Sequence, residues 1–141
     1  MGIRNAILLA DDSEDDELLF RRAVRISGLA NPVIIVRDGE AAIAYLKGEG
    51  AYADREKHPL PTVLMLDLKM PRKNGFEVLQ WVKQQPELKD LLVVVLTSSE
   101  RQEELERSYE LGANSVLVKP CGVEDLQELA EGFPEHWTGP A

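Results

Sequence analysis

The chain has 141 residues, enough for one domain with a substantial core, and its hydrophobic content of 44% is typical of a globular protein. It carries 16 basic and 25 acidic residues, and the resulting net charge of -9 argues against binding to nucleic acid or to an anionic membrane surface. The single cysteine, Cys121, excludes an internal disulfide. Together with the lack of a signal-peptide pattern or a membrane-spanning apolar run, it predicts a cytoplasmic protein.

Short apolar runs alternate with helical patterns along the whole chain. We expect buried strands at 7–10, 33–36 and 63–67, further strands at 91–96 and 116–118, and helices at about 13–26, 40–46, 75–84, 100–111 and 123–130. Ser13 or Asp12 can cap the first helix, in which Leu19, Ala23 and Ile26 share one face. Residues 48–61 contain two glycines, two prolines and many charges, and they predict a long surface loop.

Five strand-helix units in succession predict an α/β fold in which helices cover both faces of a parallel sheet. Crossover connections are right-handed, and five strands favour the flavodoxin-like, doubly wound order 2-1-3-4-5. In this order the ligand crevice lies at the carboxyl ends of strands one and three.

The carboxyl ends of four strands carry groups suited to phosphate chemistry. Asp11 and Asp12 follow strand one, and the central strand, Val63-Leu64-Met65-Leu66, ends in Asp67. Strand four ends in Thr97 and strand five in Lys119. Each residue alone has an ordinary structural explanation, because a threonine often caps a helix and a lysine before proline is usually a solvated turn residue. The conjunction of all four ends is far harder to obtain by chance.

Three crowded carboxylates raise each other's pKa and favour a cation, and their hard oxygens favour Mg²⁺. A carboxylate can attack phosphorus and form an aspartyl phosphate. Thr97 offers a hydroxyl donor and Lys119 a positive charge for the phosphoryl oxygens. These residues therefore predict a magnesium-assisted phosphoryl acceptor.

The acidic pair Asp11-Asp12, Asp67 within Leu66-Asp67-Leu68-Lys69-Met70-Pro71, Thr97-Ser98 and Lys119-Pro120 resemble the receiver domain of two-component response regulators over about residues 5–130. The resemblance implies that Asp67 accepts a phosphoryl group from a sensor histidine kinase. It also implies that Mg²⁺ is ligated by Asp12, Asp67 and the carbonyl of Lys69, with Asp11 holding a metal-bound water, and that Lys119-Pro120 is a cis peptide.

A narrower similarity concerns the small stand-alone regulators that are paired with bacterial phytochrome kinases. It depends on the 48–61 loop and on the stretches 67–75, 97–100 and 108–114. One position departs from the receiver pattern: Val116 stands where many receivers place an aromatic switch residue, three before the lysine. Coupling of Thr97 to an aromatic rotamer is therefore not expected.

Other functions fit less well. An aspartyl phosphatase of the haloacid dehalogenase group needs a second aspartate where this chain has Lys69, and 141 residues leave no room for its cap domain. A degenerate receiver that acts only as a binding module would not need the intact acidic set. A flavodoxin would not place an acidic turn at its phosphate site. Cys121 could be redox-active, but a packing role after Pro120 fits better. We expect no enzyme activity.

The remaining expectations concern organisation and partners. We predict a receiver domain at 5–130, a C-terminal tail at 131–141, and no effector domain. Signalling then depends on protein contacts, and we expect a homodimer through the fourth helix, fifth strand and fifth helix, with Tyr109 in the contact. Phe133 and Trp137 in the tail either join this interface or fold back onto their own domain.

Overall fold

A computed structural model describes residues 5–98 and 101–138, which form a five-stranded parallel sheet in the order β2-β1-β3-β4-β5. The strands are β1 (Ile7–Ala10), β2 (Val33–Val36), β3 (Val63–Asp67), β4 (Leu92–Thr97) and β5 (Ser115–Val118). The helices are α1 (Glu14–Ser27), α2 (Gly39–Lys47), α3 (Gly75–Lys83), α4 (Gln102–Glu110) and α5 (Val123–Gly132). The predicted flavodoxin-like order is confirmed.

Local signals in the sequence explain where the helices begin. The Ser13 side chain caps α1 by accepting a hydrogen bond from the Asp16 backbone N–H, which decides between the two possible caps. Asn74 and Glu77 form a reciprocal capping box at the start of α3. The predicted start of α4 at Glu100 lies outside the described residues, and the described helix begins at Gln102.

Helices cover both faces of the sheet and create two core layers. Residues of β1, β3 and β4 alternate between a layer under α2 and α3 and a layer under α1 and α5. All residues of these three strands are buried, as expected for strands that are covered on both faces. Within the described ranges, no helix has the length and apolar character needed to cross a membrane.

Two burial expectations are corrected by the structure. The buried face of α1 consists of Phe20, Ala23 and Val24, whereas Leu19 and Ile26 are 50% and 58% exposed. β2 is an edge strand whose first three residues are only partly buried. Its sequence is as apolar as that of a central strand, so its composition predicted burial although the predicted strand order already placed it at the edge.

The 48–61 segment is a packed surface element. It contains a 3-10 turn at Gly50–Tyr52. Arg55 donates hydrogen bonds to the carbonyls of Tyr45 and Leu46 at the end of α2, at 2.9 and 2.8 Å. The fully buried Tyr45 donates its hydroxyl to the carbonyl of Pro59 at 2.9 Å. The loop is therefore anchored to α2 along its length.

The C-terminal tail folds back onto its own domain. Trp137 is only 6% exposed and belongs to the core layer under α1 and α5, and Phe133 packs against the same layer. The expectation that the tail aromatics join a dimer interface is wrong for Trp137, because its ring is already buried within one chain. The other predicted arrangement, in which Phe133 and Trp137 fold back onto their own domain, is the one observed.

Candidate phosphoacceptor and metal site

The predicted strand ends meet at the carboxyl edge of the sheet. Asp11 follows β1, Asp67 ends β3, Thr97 ends β4 and Lys119 follows β5. The Lys119 backbone N–H donates to the Thr97 carbonyl at 2.7 Å, which ties the ends of the last two strands together. The Lys119-Pro120 peptide is cis, as the resemblance implied.

A close backbone contact fixes the turn after Asp67. The Gly75 N–H donates to the Leu68 carbonyl at 3.0 Å, and a Cβ at Gly75 would lie 2.5 Å from the Asp67 carbonyl oxygen. Only glycine permits this approach, so the residue brings the start of α3 directly against the end of β3. The Lys69 N–H donates to Asp67 Oδ1 at 3.2 Å and orients the carboxylate.

Lys119 is the cationic centre of the site. Its Nζ lies 3.1 Å from Asp11 Oδ2, 3.1 Å from Asp67 Oδ2 and 2.8 Å from Asp16 Oδ2. Burial lowers the pKa of Lys119, but the hydrogen bonds to Asp16 and Asp67 outweigh this effect and raise the pKa above its usual range. The ammonium is therefore a permanent positive charge beside Asp67.

For the buried carboxyl groups of Asp67 and Asp11, the effect of burial outweighs that of the hydrogen bonds, and the pKa of each is raised. Burial raises the pKa of Asp67, and the hydrogen bond and charge of Lys119 offset this only in part, while the charge of Asp12 raises the pKa further. Burial also raises the pKa of Asp11, against the backbone hydrogen bond from Ser13 and the contact with Lys119. One lysine does not compensate the negative charge of the whole cluster.

The acidic cluster has the donor set of a divalent-cation site. Asp11, Asp12 and Asp67 each offer a carboxylate oxygen, and these oxygens all lie within 4.8 Å of one another. Three hard oxygen ligands fit Mg²⁺ or a similar ion that retains several waters. The raised pKa values of Asp11 and Asp67 support this fit, because a nearby cation stabilises the ionised forms.

An open cavity of about 440 Å³ exposes the cluster to solvent. Its lining includes Asp12, Asp67, Lys69, Ser98 and Lys119. Lys69, predicted as a carbonyl ligand, is thus at the cavity beside the carboxylates. A small phosphate ester or a histidine side chain of a partner protein can reach Asp67 through this opening.

Neither Thr97 nor Val116 lines this cavity. Thr97 is 1% exposed, and its Oγ1 lies 3.5 Å from Glu104 Oε1 on α4. Val116 pairs with Val95 in the sheet and packs against the core layer under α2 and α3. Val116 is therefore a partly buried residue of the edge strand β5, and this position has no aromatic ring.

Sequence reasoning missed the role of Asp16. Four acidic residues fill the first turn of α1, and the helix macrodipole explains all of them equally well. In the structure, Asp16 alone of these four contacts Lys119. Spacing gave no signal, because Asp12 precedes the Ser13 cap and which first-turn carboxylate faces Lys119 depends on how α1 is rotated over the sheet.

Cys121 is a packing residue at the edge of this site. It is buried, and its burial together with the charge of Asp125 raises the pKa of the thiol to about 12. A thiol with so high a pKa supplies little thiolate at neutral pH, which argues against redox reactivity. The packing role expected for this residue agrees with its position.

Comparison with known proteins gives a consistent assignment. Residues 7–131 match the response regulator receiver domain family. The response regulator Rcp1 of Synechocystis sp. is 40% identical over 131 residues, covering 93% of this chain and 87% of that protein. The structure of the Mn²⁺-bound form of Rcp1 superposes with a TM-score of 0.78, covering 96% of this chain and 99% of that one.

Two further solved structures are about as similar to this chain as that of Rcp1. The bacteriophytochrome response regulator RtBRR is 42% identical with a TM-score of 0.79, covering 89% of this chain and 75% of its own. The phosphorylated cyanobacterial phytochrome response regulator RcpA is 36% identical with a TM-score of 0.78, covering 95% and 94% of the two chains. With its parallel sheet, acidic cluster and Lys119-Pro120 bend, the chain belongs to the response regulator receiver domain family.

Proposed function

We propose that Asp67 accepts a phosphoryl group from the phosphohistidine of a sensor histidine kinase. The observation that carries the proposal is the placement of Asp67 at the end of β3, where it opens to a cavity and has Lys119 Nζ 3.1 Å from Oδ2. RcpA, a relative of similar length, is phosphorylated in its solved structure. The reaction needs a nucleophile, a positive charge and access, and these residues supply all three.

The transfer is a displacement at phosphorus. A carboxylate oxygen of Asp67 forms a bond to phosphorus while the bond from phosphorus to the imidazole nitrogen breaks. The imidazole leaves with the electron pair and remains on the kinase as an ordinary histidine. Lys119 donates to the phosphoryl oxygens, and Thr97 supplies a hydroxyl donor from the end of β4.

Asp11, Asp12, Asp67 and the carbonyl of Lys69 would hold Mg²⁺ at the same edge. The bound ion offsets the charge of the carboxylates and of the incoming phosphoryl group. The Mn²⁺-bound form of Rcp1 supports a divalent ion in this family. In this chain the support is the convergence of three carboxylates at the cavity.

The relatives favour a phytochrome-type kinase as the donor, since RtBRR and RcpA are described as regulators of bacteriophytochrome and cyanobacterial phytochrome signalling. We propose that the chain works in the cytoplasm as a phosphorylated signal carrier and has no substrate of its own to turn over. Its net charge of -9 supports protein partners over DNA.

We also infer a homodimer through the face of α4, β5 and α5. Tyr109 on α4 is 53% exposed and Val118 on β5 is 38% exposed, which leaves apolar side chains on this face open to a partner. Light scattering of the full chain should give a dimeric mass, and the double variant Tyr109→Ala, Val118→Asp should give a monomer. A monomeric wild type at tens of micromolar, phosphorylated or not, contradicts the dimer.

Phosphotransfer from a purified bacterial phytochrome kinase tests the main proposal. The kinase is first phosphorylated with radioactive ATP and separated from nucleotide, and label on the regulator is then followed with time. We expect label on wild type in magnesium, none in EDTA and none on Asp67→Asn. Asp90→Asn is the matched control, because Asp90 is exposed and contacts His136 only through its backbone carbonyl. Equal labelling of Asp67→Asn and wild type would overturn the proposal.

A further inference from the structure

One carboxylate at the site has no part in holding a metal or receiving a phosphoryl group. Asp16 Oδ2 accepts a hydrogen bond from Lys119 Nζ at 2.8 Å, a shorter distance than those to Asp11 and Asp67. The Asp16 side chain is 32% exposed and lines the open cavity together with Asp67. Asp16 lies outside the group of carboxylates that can share a cation.

Among the described residues, only the contact with Asp16 has the geometry of a side-chain hydrogen bond of Lys119, and Asp11 Oδ2 has no hydrogen-bond partner although it lies 3.1 Å from Nζ. Lysine has three N–H donors, and Asp11, Asp16 and Asp67 each lie within 3.1 Å of Nζ. A phosphoryl group on Asp67 needs at least one of these donors. The phosphoryl group brings further anionic oxygens to the same ammonium, so it competes for Lys119 with the carboxylate that holds the hydrogen bond, Asp16.

Asp16 is the partner that can release the lysine at the lowest cost. Asp11 is 1% exposed and follows a central strand, so removing its cation leaves a buried carboxylate without compensation. Asp16 is on the first turn of α1 and a third of its side chain already meets water. Water can replace Lys119 as its hydrogen-bond partner.

We propose that Asp16 is a positioning residue that holds Lys119 across the cavity and competes with the incoming phosphoryl group for it. This inference rests on the proposed function. The Asp16 carboxylate also repels anionic phosphodonors at the cavity mouth, since charges at such short range are poorly screened by salt. Both effects make Asp16 a brake on phosphorylation of Asp67.

Small phosphodonors isolate this effect from kinase docking. With acetyl phosphate, an Asp67 oxygen bonds to phosphorus, the bond from phosphorus to the acetyl oxygen breaks, and acetate leaves with the electron pair. With phosphoramidate, ammonia is the leaving group and the donor carries one negative charge fewer. The two donors thus separate repulsion of the donor from competition for Lys119.

The experiment compares initial rates for wild type, Asp16→Asn and Asp15→Asn in saturating Mg²⁺. Asp15→Asn makes the same charge change in the same helical turn, and Asp15 is exposed and not among the carboxylates around Lys119. We expect Asp16→Asn to raise the rate with acetyl phosphate about fivefold, the factor typical of one partly exposed charge-assisted hydrogen bond. The gain with phosphoramidate should be smaller, and Asp15→Asn should change either rate by less than about twofold.

The outcomes separate the two proposals. Wild type that is labelled through Asp67, with equal rates for Asp16→Asn and Asp15→Asn, overturns the role of Asp16 and leaves the proposed function intact. Slower labelling of Asp16→Asn with both donors also overturns it, because Asp16 would then assist the reaction. Wild type that takes no label from either donor overturns both proposals. A urea titration of each variant checks that both remain folded under the conditions of the assay.

Discussion

Buried polar side chains lie at both ends of the sheet, at the carboxyl edge where the strands end and at the amino edge where they begin, but their surroundings differ. At the carboxyl edge, Asp11 and Asp67 are buried beside each other and beside Asp12, and burial raises the pKa of both. At the amino edge, the buried Asn31 side chain is fully engaged: its amide donates to the carbonyls of Asn5 and His136 at 2.6 and 3.1 Å, and its oxygen accepts from the Thr138 N–H at 2.7 Å.

The difference predicts which polar substitutions should lower the stability of the fold. The Asn31 side chain at the amino edge is satisfied within the chain, so removing it should destabilise the folded state. Under the proposed function, the carboxylates at the carboxyl edge bind a cation and receive a phosphoryl group, so removing one should change binding more than folding. The following substitutions test this contrast, beginning with the largest expected effect.

Trp137→Ala should lower the free energy of unfolding by about 3 kcal/mol, as for a large aromatic side chain removed from a core. The indole nitrogen has no hydrogen-bond partner among the described residues, so the loss comes from packing. Urea titration in EDTA measures it, and Trp137→Phe should retain much of the stability. A loss below about 1 kcal/mol would show that the tail is not part of the core.

Asn31→Ala should cost about 2 kcal/mol, because it leaves buried partners without hydrogen bonds. Thr62→Val is the control, since it removes one 3.3 Å hydrogen bond to the same His136 carbonyl and should cost less than about 1 kcal/mol. Thermal and urea unfolding report both values. If the two variants lose the same stability, Asn31 is not the residue that fastens the tail.

Asp12→Ala should leave apo stability unchanged or higher, because it removes one charge from three crowded carboxylates. The same change should abolish stabilisation by Mg²⁺, which for wild type is about 1.4 kcal/mol when the free ion is at ten times its Kd. Melts with and without Mg²⁺ measure both effects. A large loss of apo stability would give Asp12 a structural role and would contradict the claim that carboxylates at the carboxyl edge contribute little to folding.

Glu17→Gln should have the smallest effect, about 0.5 kcal/mol, because Glu17 pairs with the half-exposed Arg21 and Arg37. The hydrogen bond from Arg21 and then that from Arg37 hold the pKa of Glu17 below its usual value. The advantage of wild type is therefore present above the ordinary glutamate pKa and lost as pH falls through the lower folded value. Urea titrations from pH 7 to pH 3 test this, and a difference that persists at the acid end contradicts it.

The fold could be predicted because the alternation of apolar runs and helical patterns determines a parallel sheet, and the polar residues at its strand ends determine where the site lies. The part played by Asp16 could not, because it depends on how α1 is rotated over the sheet. The burial of Phe20 in place of Leu19 shows the same limit. The docking of Trp137 depends on contacts between distant parts of the chain, which no local pattern records.

The central claim is that Asp67 is the single phosphoacceptor. The most direct measurement is to phosphorylate the wild-type chain with acetyl phosphate in Mg²⁺, reduce the aspartyl phosphate with borohydride, and locate the resulting homoserine by tandem mass spectrometry. The account predicts homoserine at position 67 alone and none when EDTA is present. Homoserine at Asp11, Asp12 or Asp16, or at no position, would contradict it.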